Sequence, residues 1–344
     1  MIERICLLPH LTGAGGPPVF QRKMVEGLHA RGIEAVHAID SVPYQAVLVI
    51  GGTRQIRGLQ QIGSRGVPII QRLNGMNWIH RRRWTGLKHF IRAEYGNYNL
   101  NLIRRRLAHS IVYQSRFAQK WWEQQKGAIN KPGSVIYNGV DLEHYSADGP
   151  PSPPDDRYTV LVVEGNLAGG YETGLEHAAG LAARLDGQAD RPVELVVAGN
   201  VPPAVQKSIQ ASAAVPIRWA GHLPQDKISA LDRSAHLLFS ADINAACPNS
   251  VVEALACGLP VLALESGALP ELVSDGAGLI VPYGGSPWKL DPPDLDGLAR
   301  AGLEILNDQS TFRGAARQQA EARFGLDRMV ERYLEVIQRA IERK

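Results

Sequence analysis

Residues 246–273 read ACPNSVVEALACGLPVLALESGALPELV, and the rest of the chain is best understood outward from this stretch. Asn249 or Ser250 opens a short helix here, Ser250-Val251-Val252-Glu253 has the spacing of a capping box, and Gly258 closes the turn. The apolar run that follows, Pro260 to Leu264, has the length of a buried strand. Ser266-Gly267-Ala268-Leu269-Pro270-Glu271 then opens a second helix with proline in its first turn. Two helix N-termini set one strand apart turn their free amides toward one crevice. Such an arrangement binds a diphosphate with few charged side chains.

The same strand–helix texture runs along the whole chain. RICLLPH, VLVIGG, VPIIQRL, SIVYQS and SVIYNGV read as strands of a first half, and PVFQRKMVEGLHARG reads as an amphipathic helix that Gly32 ends. Ser115 is placed to cap RFAQKWWEQQKG. The segment SADGPPSPPDDR, residues 146–157, has four prolines and no apolar periodicity, and is the expected linker. Beyond it YTVLVVEG, GLEHAAGLAARL, VELVVAGN, PIRWAGH, HLLFSAD and PVLALES restart the alternation. From Thr311 the chain reads as helix with breaks near Gly314 and Gly325. The expected organisation is α/β, with two doubly wound, Rossmann-like domains over residues 1–150 and 151–325 and a C-terminal helix over 326–344.

Composition narrows the function classes. A chain of 344 residues with 44% hydrophobic content suits two cores. Three cysteines (Cys6, Cys247, Cys257) lack metal-ligand spacing and suit a reducing compartment. The apolar run at the N-terminus is shorter than a signal-peptide core and is read as a first strand. No stretch reaches the ~20 apolar residues of a membrane span, so the expectation is a cytoplasmic protein. Residues 1–150 carry 20 Lys+Arg against 9 Asp+Glu, whereas residues 151–344 carry 17 against 25. The basic half mixes Trp78, Arg81-Arg82-Arg83, Trp84, Arg104-Arg105-Arg106 and Trp121-Trp122. That mixture suits peripheral contact with an anionic inner-membrane face or a phosphate-bearing acceptor, and equally a plain solvated helix face. No nucleic-acid-binding motif accompanies the charge.

Open parallel sheets bind ligands where strands lead into helices. Three Gly-rich loops qualify: LTGAGGPP (11–18) with Gly15 and Gly16, EGNLAGGYETG (164–174) with Gly165 and Asn166, and the 246–273 stretch itself. None has dinucleotide-fingerprint spacing, which sets a Rossmann dehydrogenase aside. PNSVVEALACGLPVLALESGALPELV, followed by DGAGLIVPYG, resembles the donor-site signature of glycosyltransferase family 4, and Ile136-Tyr137-Asn138-Gly139-Val140-Asp141-Leu142 resembles a second stretch of that family. The resemblance implies a GT-B fold whose C-terminal helix returns to the first domain. It also implies retaining transfer from a nucleotide-sugar donor to a glycan, glycolipid or other lipid-linked acceptor, without metal or cofactor. By position Glu253 matches a glutamate for the donor's ribose hydroxyls, with Asn249 and Ser250 beside it. Ser266 and the Gly267 and Ala268 amides match groups that hold the diphosphate or sugar. The Gly15–Gly16 loop matches one that approaches the donor from the other domain. Polysaccharide or glycolipid assembly is the setting this suggests.

Three departures from the family pattern fall at four positions. Ala245 stands where a first carboxylate is expected eight residues before Glu253, with Asp242 nearby as a substitute. Asn166 and Thr173 stand where Arg and Lys neutralise a leaving diphosphate, a charge effect worth several kcal/mol in such reactions. Asn74, in QRLNG, stands where a His is expected. Asn74 and Arg72 are therefore the catalytic candidates, with His80 a further compensating group. These losses keep a second reading open: a catalytically silent GT-B protein that binds a nucleotide sugar or a partner glycosyltransferase. Asp294-Leu295-Asp296 has the DxD spacing of metal-dependent transferases, but its place before GLARAGLEIL reads as a helix start.

Overall fold

Apolar runs bounded by Pro and Gly become parallel strands in the computed structural model, which describes residues 2–13, 15–274 and 276–343. The chain forms two units, one of residues 1–81, 86–139 and 326–344, the other of residues 82–85 and 140–325.

Unit 1 contains β1 (Arg4–Leu8), α1 (Gly16–His29), β2 (Glu34–Val36), β3 (Ala46–Ile50), α2 (Ile56–Ser64), β4 (Ile69–Leu73), α3 (Leu87–Leu102), β5 (Ser110–Tyr113), α4 (Arg116–Lys126) and β6 (Gly133–Val135). Its parallel sheet has the order β2-β1-β3-β4-β5-β6, so the winding reverses between β1 and β3. AVLVI of β3 and IIQRL of β4 are buried at every position, as expected for strands covered on both faces. Ser115 caps α4 by accepting from the Ala118 amide at 3.0 Å, and Gly32 takes the left-handed conformation after α1. Residues 326–344 also belong to this unit.

Unit 2 contains β7 (Tyr158–Asn166), α5 (Thr173–Asp186), β8 (Val193–Asn200), α6 (Pro203–Ser212), β9 (Ile217–Gly221), α7 (Gln225–Arg233), β10 (Leu237–Phe239), α8 (Asn249–Ala256), β11 (Val261–Leu264), α9 (Leu269–Leu272), β12 (Gly278–Val281), α10 (Leu295–Asn307) and α11 (Gln309–Arg323). Its parallel sheet runs β12-β11-β10-β7-β8-β9, with the reversal between β7 and β10. The last helix of the chain, α12 (Leu326–Glu342), is counted with unit 1. Its Val330, Tyr333 and Ile337 share one core with Ile5 and Leu7 of β1, Met24 of α1 and Leu48 of β3. Those positions recur at helical spacing, so one apolar stripe of α12 is spent inside unit 1.

Several expectations change. The passage between units falls at 139/140, not in the proline-rich segment. That segment is tied into unit 2, because Arg233 of α7 donates to Pro150 O at 3.0 Å and to Ser146 O at 3.2 Å. Prolines without periodicity marked irregular chain, and irregular chain here is anchored. Gly314 lies inside α11 and breaks nothing, whereas the helix does break between Arg323 and Leu326. Gly139 is needed for packing: a Cβ there would stand 3.0 Å from the Leu326 Cα and 2.9 Å from the Met329 Cβ.

Candidate functional site

In unit 2 the reversal between β7 and β10 sets two strand ends side by side, and this is where an open parallel sheet holds ligands. β7 ends in Glu164-Gly165-Asn166, with Gly165 and Asn166 exposed and nothing within 4 Å of a Cβ built on Gly165. Asn166 accepts from Asn200 Nδ2 at 3.2 Å. Thr173, at the start of α5, is buried and donates to Gly170 O, so its side chain is turned to its own loop. Neither position supplies the cation a leaving diphosphate needs.

The 246–273 stretch folds as strand between two helix starts, with two corrections. α8 begins at Asn249 with Pro248 as its N-cap and no side-chain cap. Ser250 is therefore inside the first turn, and the capping box read from Ser250 and Glu253 does not form. Proline has no N–H and a fixed φ, so it takes the capping place, and the helix opens at Asn249, one of the two openers the sequence offered. Glu253 is 6% exposed, and its burial has to be explained by something other than capping. Gly258 does close the helix, with φ of 66° and the Leu259 amide reaching back to Ala254 O at 2.9 Å.

The second correction concerns α9, which is a single turn. The Ala268 amide donates to Ala245 O at 2.8 Å and the Leu269 amide to Ser266 O at 3.3 Å. Those two amides are spent within the loop and do not face a ligand. Gly267 has φ of 59°, and a Cβ there would fall 2.5 Å from Ala245 O and 2.6 Å from Ala245 N. The loop at 266–268 thus locks onto the backbone at 245, the position where a carboxylate was expected. Ser266 accepts weakly from the Asn244 amide at 3.4 Å.

Two carboxyls stand at this reversal: Asp242, already named as a substitute for the missing acid, and Glu164, which the sequence reading did not name. Glu164 and Asp242 sit at the ends of neighbouring strands, both half-buried by exposure. Burial, and then the charge of Asp242, holds the Glu164 carboxyl well above its ordinary range. Burial raises Asp242 from 3.8 to about 7. Each is more readily protonated than an exposed acid. Asp232 of α7 is 1% exposed and is likewise raised, by burial and then by Glu253. The signal for Glu164 was an acid ending the apolar run YTVLVVEG at the strand where the sheet reverses.

The DxD residues of unit 2 are structural. Asp294 caps α10 by accepting from the Gly297 amide at 2.8 Å, and Asp296 pairs with Arg184 at 2.7 Å.

In unit 1, Gly15 caps α1 and Gly16 begins it, both exposed, with prolines in the first turn. A Cβ built on Gly16 meets nothing within 4 Å, so the backbone there is open to an approaching group. Arg72 and Asn74 lie at the carboxyl end of β4 and are brought together: Arg72 Nη1 donates to Asn74 Oδ1 at 2.7 Å and Nη2 to Asn138 Oδ1 at 2.9 Å. Gln114, with its amide oxygen turned inward, accepts from both Nη atoms at 2.9 Å. The Arg72 guanidinium also stands 3.9 Å above the Phe20 ring, and the residue is 1% exposed. Asn74 is half-buried, and Trp122 Nε1 donates to its backbone oxygen at 2.7 Å. Sequence reading missed Gln114 as a partner, since nothing in QSRF marks it.

His80 is 3% exposed, bonds Glu94 at 2.8 Å and packs edge-on to Phe90. Arg81 grips the same carboxylate at 2.6 and 2.7 Å and draws Glu94 down to about 2. His80 is therefore a packing residue. The aromatic–basic mixture also separates on folding: Trp78, Trp121 and Trp122 are buried, Trp84 is 77% exposed, and Arg104 is a fully buried strut bonded to Gly127 O at 2.9 Å.

The chain is similar to known proteins. Residues 159–308 match the family described as Glycosyl transferases group 1. A GDP-mannose-dependent monoacylated alpha-(1-6)-phosphatidylinositol monomannoside mannosyltransferase of Corynebacterium glutamicum is 33% identical over 90 residues, which are 25% of this chain and 21% of that protein. The match thus spans about a fifth of that relative's length. Sucrose-phosphate synthase of Thermosynechococcus elongatus superposes with a TM-score of 0.74 at 14% identity, over 99% of this chain and 100% of that one. HepE of Anabaena, in complex with UDP and glucose, gives 0.69 at 17% identity, over 98% and 100%. The two six-stranded parallel sheets with their helices are those of the GT-B fold.

Proposed function

We propose, from the match of residues 159–308 to the family described as Glycosyl transferases group 1, that the chain transfers a sugar from a nucleotide-sugar donor held by unit 2 to a glycan or lipid-linked acceptor held by unit 1. The observation that carries this reading is the strand reversal between β7 and β10, with Gly165 and Asn166 exposed at the end of β7 and α8 starting after β10 with Glu253 buried one turn in. In this reading Glu253 takes the donor's ribose hydroxyls, and Asn249, Ser250, Ser266 and Gly267 line the diphosphate and sugar. Gly15 and Gly16 stay donor-binding candidates and Asn74 the catalytic candidate, with Arg72 positioning it, on the strength of the same resemblance. Transfer proceeds with retention and without metal or cofactor, on the strength of the family resemblance.

The relatives direct the choice of donor. One is named for GDP-mannose and another was solved with UDP and glucose, so both nucleotides head the panel, followed by ADP- and dTDP-sugars. Thermal-shift titration of the whole chain tests the donor site. A ligand at 100 times its dissociation constant adds about 2.7 kcal/mol of stability, and Glu253→Ala should abolish the rise. Transfer or slow hydrolysis of the stabilising donor then establishes the activity. Binding without either supports the catalytically silent reading, for which Ala245, Asn166 and Thr173 are the motivation. No stabilisation by any nucleotide sugar overturns the transferase reading and leaves a silent protein that binds a partner glycosyltransferase.

A further inference from the structure

Helix α3 of unit 1 is built inside out. Its inward side carries Ala93, Asn97, Asn99 and Leu100. The two asparagines are satisfied there: Asn97 accepts from the Asn77 amide at 2.9 Å and donates to Asn77 O at 2.8 Å, and Asn99 donates to Thr53 O at 3.0 Å. Its outward side carries Leu87, Ile91, Tyr95 and Tyr98, which are 63%, 60%, 54% and 63% exposed. Steps of four, four and three residues put all four side chains within one narrow arc of the helix. A surface helix ordinarily does the reverse, with polar residues toward water. Single exposed apolar residues need no explanation, but a contiguous stripe marks a surface that meets something apolar. Lys88 and Arg92 follow this stripe along one flank, both exposed.

We propose that this face of α3 is a docking surface for an anionic phospholipid bilayer. The occupant is argued from what the stripe and its flank want together. Leu and Ile favour the boundary between headgroups and acyl chains. Tyrosine rings settle at headgroup level, with the hydroxyl wet and the ring not. Lys88 and Arg92 pair with negatively charged headgroups. The charge of the surrounding sequence agrees, since residues 1–150 hold 20 Lys+Arg and 9 Asp+Glu. Among the described residues no helix is long and apolar enough to cross a membrane, so the contact is an interfacial one, with α3 lying in the plane of the surface. The inference deepens the transferase reading by giving unit 1 a lipid-surface partner, but its evidence is independent of the donor site.

The test is sedimentation of the full chain with vesicles, with no nucleotide sugar present. Vesicles of phosphatidylcholine alone are compared with vesicles in which a third of the lipid is phosphatidylglycerol. The wild type should bind the anionic vesicles and be released by salt. Lys88→Gln and Arg92→Gln should each weaken that binding about fivefold, and Leu87→Ser with Ile91→Ser together by more than about tenfold. All four side chains are exposed, so unchanged melting temperatures verify that the variants fold. The proposal is overturned if the wild type ignores anionic vesicles, or if Leu87→Ser/Ile91→Ser binds them as the wild type does. It is equally overturned if light scattering without lipid shows a dimer that the same double variant splits, because the stripe then covers a second copy. A failure here leaves donor binding untouched, and a failure of donor binding leaves this result standing.

Discussion

Replacing Asp242 by Asn should stabilise the protein at neutral and alkaline pH. The side chain keeps its shape, and only its ionisation is removed. Burial raises this carboxyl from 3.8 to about 7, so between those values the folded chain holds a proton that the unfolded chain has released. The sign follows: the group's contribution is fully present below about pH 4 and is lost as pH rises through about 7. At about 1.36 kcal/mol per unit, the interval sets a ceiling of about 4 kcal/mol. Solvent screening of a half-buried group cuts this to about 2 kcal/mol. Asp242→Asn escapes the loss, and it also relieves Glu164, whose raised carboxyl has Asp242 as its second cause. A gain of about 2 kcal/mol in a unit of this size raises the melting temperature by about 4–8 °C. Melting curves of both proteins, from acid to alkaline buffer, should coincide near about pH 4, diverge up to about pH 7 and run parallel above it. Profiles that stay parallel throughout, or a variant less stable at alkaline pH, would refute the account of a strained acid at the end of β10.

Two further substitutions test the local geometry. Gly267→Ala forces a Cβ to within 2.5 Å of Ala245 O at a backbone φ of 59°; it should cost about 2–4 kcal/mol in urea unfolding, and a cost under about 0.5 kcal/mol would mean the 245–267 contact is loose. Arg72→Met keeps much of the volume but leaves the Asn74, Asn138 and Gln114 oxygens without their shared donor; a loss of about 3 kcal/mol is expected, and a variant melting with the wild type would show that the guanidinium is no strut.

The fold was legible because its signals are local and redundant. Runs such as YTVLVVEG and PVLALES became β7 and β11, and Gly258 and Ser115 ended or began the helices they were read to end or begin. What was misread depended on competition between neighbours. Ser250 had the right spacing for a capping box, but Pro248 stands two residues earlier and takes the capping place. The start of α9 had the letters of a second anion-binding turn, yet its Ala268 amide was claimed by Ala245, twenty-three residues away in sequence. Trp121 and Trp122 were grouped with arginines they follow in the chain, and folding put both indoles in the core. Outward-facing α3 was missed for the opposite reason, since its apolar spacing looks like that of any core-facing helix until the asparagines are seen inside.

The charges of unit 2 bear most directly on the proposed mechanism. Sequence reading counted missing cations at 166 and 173 and a missing acid at 245. The structure sets Glu164 beside the Asp242 already named, at the strand ends where an open sheet holds ligands. Two ionised carboxylates there would oppose a diphosphate by like charge, whereas two protonated ones can donate hydrogen bonds to it. Burial pushes both toward the protonated form at neutral pH, so the crevice is less hostile to an anion than its composition implies. A group that needs a cation can be served by neutral donors when the site is dry and the donors are fixed in advance. Loss of Arg and Lys at these positions therefore does not by itself argue for a silent protein.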